Sequence, residues 1–236
     1  MIEFANPSRF MALSARILPW LATGTAITLF AGLILGLLAP PDYQQSDTVK
    51  IMFLHVPAAW TAMMVYGVIA VCSLISIVNR HPLADVAARA AAPLGAGFTA
   101  LGLLTGSLWG RPMWGTWWVW DGRLTSFLLL FFLYVGYMAL GATIEDEGRA
   151  ARACAVLALV GAINLPVIEF SVDWWATLHQ GESIFRKEGP AISLVYLVPL
   201  FLSALGYTLL FATLWLVRVR TEILERRVRR EVSARM

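Results

Sequence analysis

Five tryptophans fall within the twelve residues from Trp109 to Trp120, interleaved with Gly110, Arg111, Pro112 and Gly115 and followed at once by Asp121 and Arg123. An indole is a flat, amphipathic ring, and a cluster of them has two uses. It can anchor helix ends at the headgroup level of a bilayer, or it can form a platform for a large, flat, apolar ligand. A belt accounts well for one or two tryptophans per helix end and poorly for five in one loop; spacing alone leaves both uses open. The other side chains suited to chemistry are the three histidines, His55, His81 and His179. Neutral imidazole is a common metal ligand. An isolated histidine is more often a surface or hydrogen-bonded residue, so what matters is which histidines share a side with the tryptophans.

The elements that must position these residues are membrane helices. Of the 236 residues, 59% are hydrophobic and 14% charged, and mean hydropathy is +0.71. A soluble domain carries about 25% charged residues, so lipid must cover part of this apolar surface. A bilayer core needs roughly 20 apolar residues per helix. Six segments qualify: Ile17–Leu38, Val56–Val78, Ala90–Leu108, Thr125–Ile144, Ala153–Phe170 and Ala191–Val217. The third is interrupted by Pro93, Gly95 and Gly97, which membrane helices tolerate where neighbours satisfy the backbone. The first is too long for a signal-peptide core and has no clear small-residue cleavage site, so it is expected to stay as an anchor. The expected fold class is an all-α integral membrane protein: one polytopic domain over residues 1–236, six transmembrane helices, and a Trp-rich outer loop, 109–125, between helices 3 and 4. No internal repeat, low-complexity tract or soluble domain is evident.

Lysine and arginine give the orientation, because cytoplasmic loops carry the excess. With the N-terminus inside, the inner segments hold Arg9, Arg16, Arg80, Arg89, Arg149, Arg152, Arg218, Arg220, Arg226, Arg227, Arg229, Arg230 and Arg235. The outer loops hold only Lys50, Arg111, Arg123, Arg186 and Lys187. Both termini are therefore expected in the cytoplasm. His55, the tryptophan run and His179 then share the outer face, and His81 falls on the inner one. The net charge of +3 needs no nucleic-acid partner. The arginines at 226, 227, 229 and 230 read as a topology signal, with anionic headgroups as the alternative contact. Cys72 and Cys154 form no CxxC pair and read as packing residues. Glu169, near the outer end of the fifth span, is an ionisable group that snorkelling or pairing is enough to explain.

The run Trp114-Gly115-Thr116-Trp117-Trp118-Val119-Trp120-Asp121-Gly122-Arg123-Leu124-Thr125 closely resembles the WWD signature of haem-handling proteins in cytochrome c biogenesis. Within that superfamily the whole chain is similar to the cytochrome c maturation protein C family, also called haem exporter protein C. The resemblance includes the six-span layout, the run Phe53-Leu54-His55-Val56-Pro57-Ala58 and the second outer-loop histidine, His179. It implies a protein of the bacterial inner membrane that holds haem at the outer, periplasmic face and passes it to the haem chaperone CcmE. The family also associates with the ABC transporter subunits CcmA and CcmB and the small membrane protein CcmD. Its two outer-loop histidines act as axial ligands to haem iron and correspond here to His55 and His179. Trp114, Gly115, Trp117, Trp118, Trp120 and Asp121 would form the haem platform. Arg111 and Arg123 are candidates for the propionates, although Arg123 could equally pair with Asp121 or face headgroups. Asp121 would repel a propionate and is expected to shape the loop or cap the following helix. Trp174 and Trp175, with Asp173 close by, are candidates for a site wall or for interfacial anchors. With no CxxCH motif the haem would be b-type and non-covalent.

Three other readings compete. A membrane subunit could carry haem or another solute through its helices, but the spans hold few polar residues. The chain lacks GxxxxGK[ST], so it is not itself a P-loop ATPase. A b-type electron carrier usually buries its haem between mid-span histidines, and a zinc enzyme built on His55, His179 and Asp173 leaves the tryptophans unexplained. The expected role is a non-enzymatic haem-binding and delivery factor.

Overall fold

The computed structural model describes residues 6–179, 181, 183, 184 and 186–233. Arg235, counted above on the inner side, lies outside them. Among the described residues there are seven α-helices and no strand: α1 (Pro7–Leu38), α2 (Met52–Asn79), α3 (Pro82–Trp114), α4 (Gly122–Thr143), α5 (Glu147–Gly161), α6 (Asn164–Trp174) and α7 (Leu194–Ser233). They make six helices or helix pairs long and apolar enough to cross a membrane, α5 and α6 together forming the fifth. The protein is an all-α integral membrane protein.

Local sequence sets the helix ends. The Asn6 side chain accepts the Ser8 amide at 3.0 Å to cap α1, with Pro7 at the first helical position, where its missing N–H costs nothing. Asp146 caps α5 in the same way, accepting the Arg149 amide at 2.6 Å. Helix α3 runs past Leu108 to Trp114, with Pro93 and Pro112 inside it. What stops it is Gly115, at φ 74°; its amide donates to the Arg111 carbonyl at 3.1 Å. That left-handed cap suits glycine and no branched residue. Trp109 and Trp114 are thus helical, and the connection to α4 is only residues 115–121. The fifth span breaks between α5 and α6. Pro166 has no amide for the Ala162 carbonyl and its ring crowds that carbonyl, while Asn164 donates its side-chain amide to the Ser126 carbonyl of α4 at 2.8 Å.

The core is centred on α2, which packs against α3, α5 and α7. Tyr66 and Tyr134 are fully buried and meet edge to face at 5.1 Å, and the Tyr134 hydroxyl donates to the Ala62 carbonyl at 2.7 Å. Helix α1 packs mainly on α7 through close small-residue contacts: a Cβ at Gly32 would sit 2.6 Å from the Ser203 amide nitrogen.

The two ends of the bundle differ. At the end carrying both termini, Arg226 of α7 binds Asp85 of α3 at 2.8 Å and Glu222 at 3.1 Å, and Asp85 also takes Arg89 at 3.1 Å. Arg220 donates to the Met11 carbonyl at 2.6 Å and to Ser14 Oγ at 2.8 Å. Arg226 and Arg220 therefore tie α7 to α3 and α1, beyond any signal of topology. His81, which precedes α3, is at this end. At the other end, the Trp109 indole N–H donates to Gln45 Oε1 at 3.0 Å, fastening the α1–α2 connection to α3.

Candidate functional site

At the end away from the termini lies a cavity of about 610 Å³, within the roughly 300–1,000 Å³ typical of small-molecule and cofactor sites. Its wall includes His55, Trp109, Trp114, Trp118, Arg123 and His179. Five different elements bring these residues to one space: α2, α3, the 115–121 connection, α4 and the segment after α6.

His55 sits in the first turn of α2. Its Nδ1 lies 3.0 Å from the Gly102 carbonyl oxygen and 3.2 Å from Thr105 Oγ1. The Thr105 hydroxyl donates to the Leu101 carbonyl at 2.7 Å, and a carbonyl can only accept. Both neighbours thus call for a proton on Nδ1, which leaves the lone pair on Nε2. Gly106 makes room for the ring: a Cβ there would lie 2.8 Å from His55 Cε1. Trp109 meets the imidazole edge to face at 5.7 Å.

His179 is held differently. Its amide donates to Thr177 Oγ1 at 3.1 Å, and the Thr177 hydroxyl donates to Asp121 Oδ2. Its Nδ1 is buried without a hydrogen-bond partner and lies 3.7 Å from Asp121 Oδ2, too far for a hydrogen bond. Trp114 packs edge to face on the ring at 4.9 Å. Burial pushes the pKa of His179 down and Arg123 adds to this, while Asp121 works against them. The imidazole is therefore neutral near pH 7, the form that ligates metals.

The aromatic connection divides into two faces. Trp114 and Trp118 line the cavity, and the Trp118 indole N–H is buried without a partner. Trp117 and Trp120 are 55% and 76% exposed and lie outside the wall. Arg111 is also outside it, donating to the Gly115 carbonyl and lying 6.0 Å over the Trp117 ring. Gly115 is the α3 stop. Asp121 is buried and caps α4, accepting the Leu124 amide at 2.8 Å. Arg123 lines the cavity and donates to the Glu169 carbonyl at 3.1 Å and the Ile168 carbonyl at 3.4 Å. Trp174 and Trp175 are exposed, outside the wall, with Trp174 stacked on Phe170. Glu169 borders the cavity and Asp173 does not. Among the described residues no three His, Cys, Asp or Glu side chains are grouped to hold a metal ion. Cys154 is buried in the core with its thiol 3.5 Å from the Tyr137 carbonyl oxygen.

Sequence reasoning did not single out Gly102, Gly106, Met113 or Thr177. The first three had a signal: Gly102, Gly106, Trp109 and Met113 follow helical spacing and share one face once α3 is extended to Trp114. Thr177 had none, since its partner lies 56 residues away.

The family model for Heme exporter protein C matches residues 1–234. The chain belongs to the heme exporter protein C family. It is 62% identical over 229 residues to the Heme exporter protein C of Bradyrhizobium diazoefficiens, covering 97% of this chain and 87% of that one. It is 48% identical over 227 residues to that of Paracoccus denitrificans, covering 96% and 94%. With the Escherichia coli K12 protein of the same name, identity is 46% over 224 residues, covering 94% and 90%. The match to the heme exporter protein C family thus runs through every element around the cavity.

Proposed function

We propose that this protein binds haem in the cavity between His55 and His179 and delivers it during cytochrome c biogenesis. The observation that carries this reading is that the two histidines line one aromatic cavity, with Nδ1 of His55 committed to Gly102 and its Nε2 left for a ligand. Iron in haem takes axial imidazoles, and Trp109, Trp114 and Trp118 supply flat apolar walls for a porphyrin. The Trp118 N–H in the wall lacks a partner in the protein, and a polar ligand edge suits such a group. Arg123 is the cationic group of the wall available to a propionate. With no CxxCH motif, the haem is b-type and non-covalent.

Haem is held at the periplasmic face of the bacterial inner membrane and passed to the chaperone CcmE, in association with CcmA, CcmB and CcmD. The excess of arginine near the termini supports a cytoplasmic location for both, and the cavity is at the opposite end of the bundle. The protein acts as a carrier, without a catalytic step of its own.

The test is an absorption spectrum of the full chain, purified in detergent with co-expressed CcmE, for wild type and histidine variants. His55→Ala and His179→Ala are expected to alter the haem spectrum and reduce transfer, whereas His81→Ala leaves both unchanged. Normal haem binding by the His55/His179 double variant overturns the ligand assignment.

A further inference from the structure

Asp121 is outside the cavity wall, yet its carboxylate reaches the segment that presents His179. Only 4% of the Asp121 side chain is exposed, and its two oxygens serve different elements. Oδ1 accepts the Leu124 amide and caps α4. Oδ2 accepts the Thr177 hydroxyl and faces His179 Nδ1 at 3.7 Å. Thr177 in turn accepts the His179 amide at 3.1 Å. A helix cap needs only Oδ1; nothing in capping explains a second oxygen turned toward a buried imidazole nitrogen that has no partner.

The two histidines are therefore held with unequal firmness. His55 belongs to α2 and its ring is tied to a backbone carbonyl of α3, so two packed helices fix it. His179 lies on a connecting segment, and the relay Asp121–Thr177 is what its backbone and ring have on that side.

From this arrangement we infer that Asp121 and Thr177 form a latch: they are positioning residues that turn His179 Nε2 into the cavity, and their separation releases this ligand while His55 stays in place. The inference rests on the haem-binding reading above. A carboxylate opposite Nδ1–H fixes the tautomer that keeps the lone pair on Nε2 and raises the basicity of that nitrogen. Drawing Nδ1 in from 3.7 Å to hydrogen-bond distance takes a movement of about 0.8 Å. A chaperone that docks at this end could open the latch by moving one short segment, with no change in the helices.

The test uses the full chain with haem in detergent, read by visible absorption, by electron paramagnetic resonance of the ferric form and by haem titration. Asp121→Asn retains a good helix cap and removes the negative charge. It is expected to weaken ligation by His179 about 10- to 100-fold, seen as a high-spin fraction like that of His179→Ala and returned to low spin by added imidazole. Thr177→Val, which touches no helix cap, is expected to shift the spectrum in the same direction, and Thr177→Ser to restore it. Wild-type spectra and affinity in both Asp121→Asn and Thr177→Val, beside an altered His179→Ala, overturn the latch alone. An unaltered His179→Ala overturns the haem-ligand reading itself.

Discussion

Gly106→Ala is the sharpest probe of how His55 is held. The added Cβ would lie 2.8 Å from His55 Cε1 and 3.3 Å from Nδ1. Ordinary carbon–carbon contact is about 3.5–4.0 Å, so the ring must retreat by roughly 0.7–1.2 Å. That retreat acts on an imidazole whose Nδ1 is set by Gly102 and Thr105 at 3.0 and 3.2 Å. Two effects on stability oppose each other. Overpacking costs about 1–3 kcal/mol, while replacing glycine by alanine inside a helix contributes about 1 kcal/mol. The folded protein without haem should therefore lose no more than about 2 kcal/mol. Disturbing the support of a ligating histidine typically costs about 10- to 100-fold in metal affinity, equivalent to about 1.4–2.8 kcal/mol of binding. At the middle of these ranges, about 2 kcal/mol of binding against about 1 kcal/mol of stability, binding falls more than stability does.

Gly97→Ala supplies the control. It is in the same helix with no atom within 4 Å of the new Cβ, so it should stabilise by up to about 1 kcal/mol and leave the spectrum alone. The assay is haem titration of both variants beside thermal unfolding in the same detergent. Wild-type affinity and spectrum in Gly106→Ala would refute the crowding argument. If His55→Ala is equally silent, the role of His55 as a ligand goes with it.

Trp118→Phe removes a buried indole N–H that has no partner. Unfolding of the haem-free protein should change by less than about 1 kcal/mol, while haem retention during size-exclusion chromatography drops. Arg226→Ala removes one of the two arginines on Asp85, whose side chain is 12% exposed; because Arg89 keeps its contact, the stability lost should stay below the roughly 3–5 kcal/mol of a buried charge left with no partner, with the haem spectrum unchanged because the pair is at the opposite end. His179 is held below its ordinary pKa mainly by burial. Its unfolded form therefore binds a proton first as pH falls below about 6.5, and stability at His179 is present above that pH and declines beneath it. Thermal unfolding of the haem-free protein between pH 7.5 and 5 should show this decline, and His179→Gln should make it shallower.

How far the sequence could be read depends on the range of the interactions involved. The six spans were legible because hydrophobicity is a local property, and the chain does contain six helices or helix pairs long and apolar enough to cross a membrane. The limits of those spans were less legible. Pro112 reads as a helix breaker, yet α3 passes through it and stops only at Gly115, where φ turns positive. One backbone bond lost to proline ends a helix less firmly than a glycine that caps it. The fifth span reads as continuous because its hydropathy is continuous; the break depends on Pro166 together with a hydrogen bond from Asn164 to α4, which no local pattern encodes.

The same distinction separates the residues of the candidate site. Trp114 and Trp117 are equally prominent in the sequence, but only Trp114 lines the cavity. The turn at Gly115 decides which indoles follow α3 inward and which face out, and a motif printed in one line hides that partition. Asp121 is the reverse case. Its identity suggested a helix cap, and it is one; its second oxygen, however, acts on Thr177 and on His179, 58 residues further along the chain. A carboxylate that seemed ill-suited to a site for an anionic ligand fits once it stands behind a histidine instead of beside the cargo. The negative charge then serves to orient an imidazole and is kept off the surface that would meet a propionate, because His179 lines the cavity and Asp121 does not.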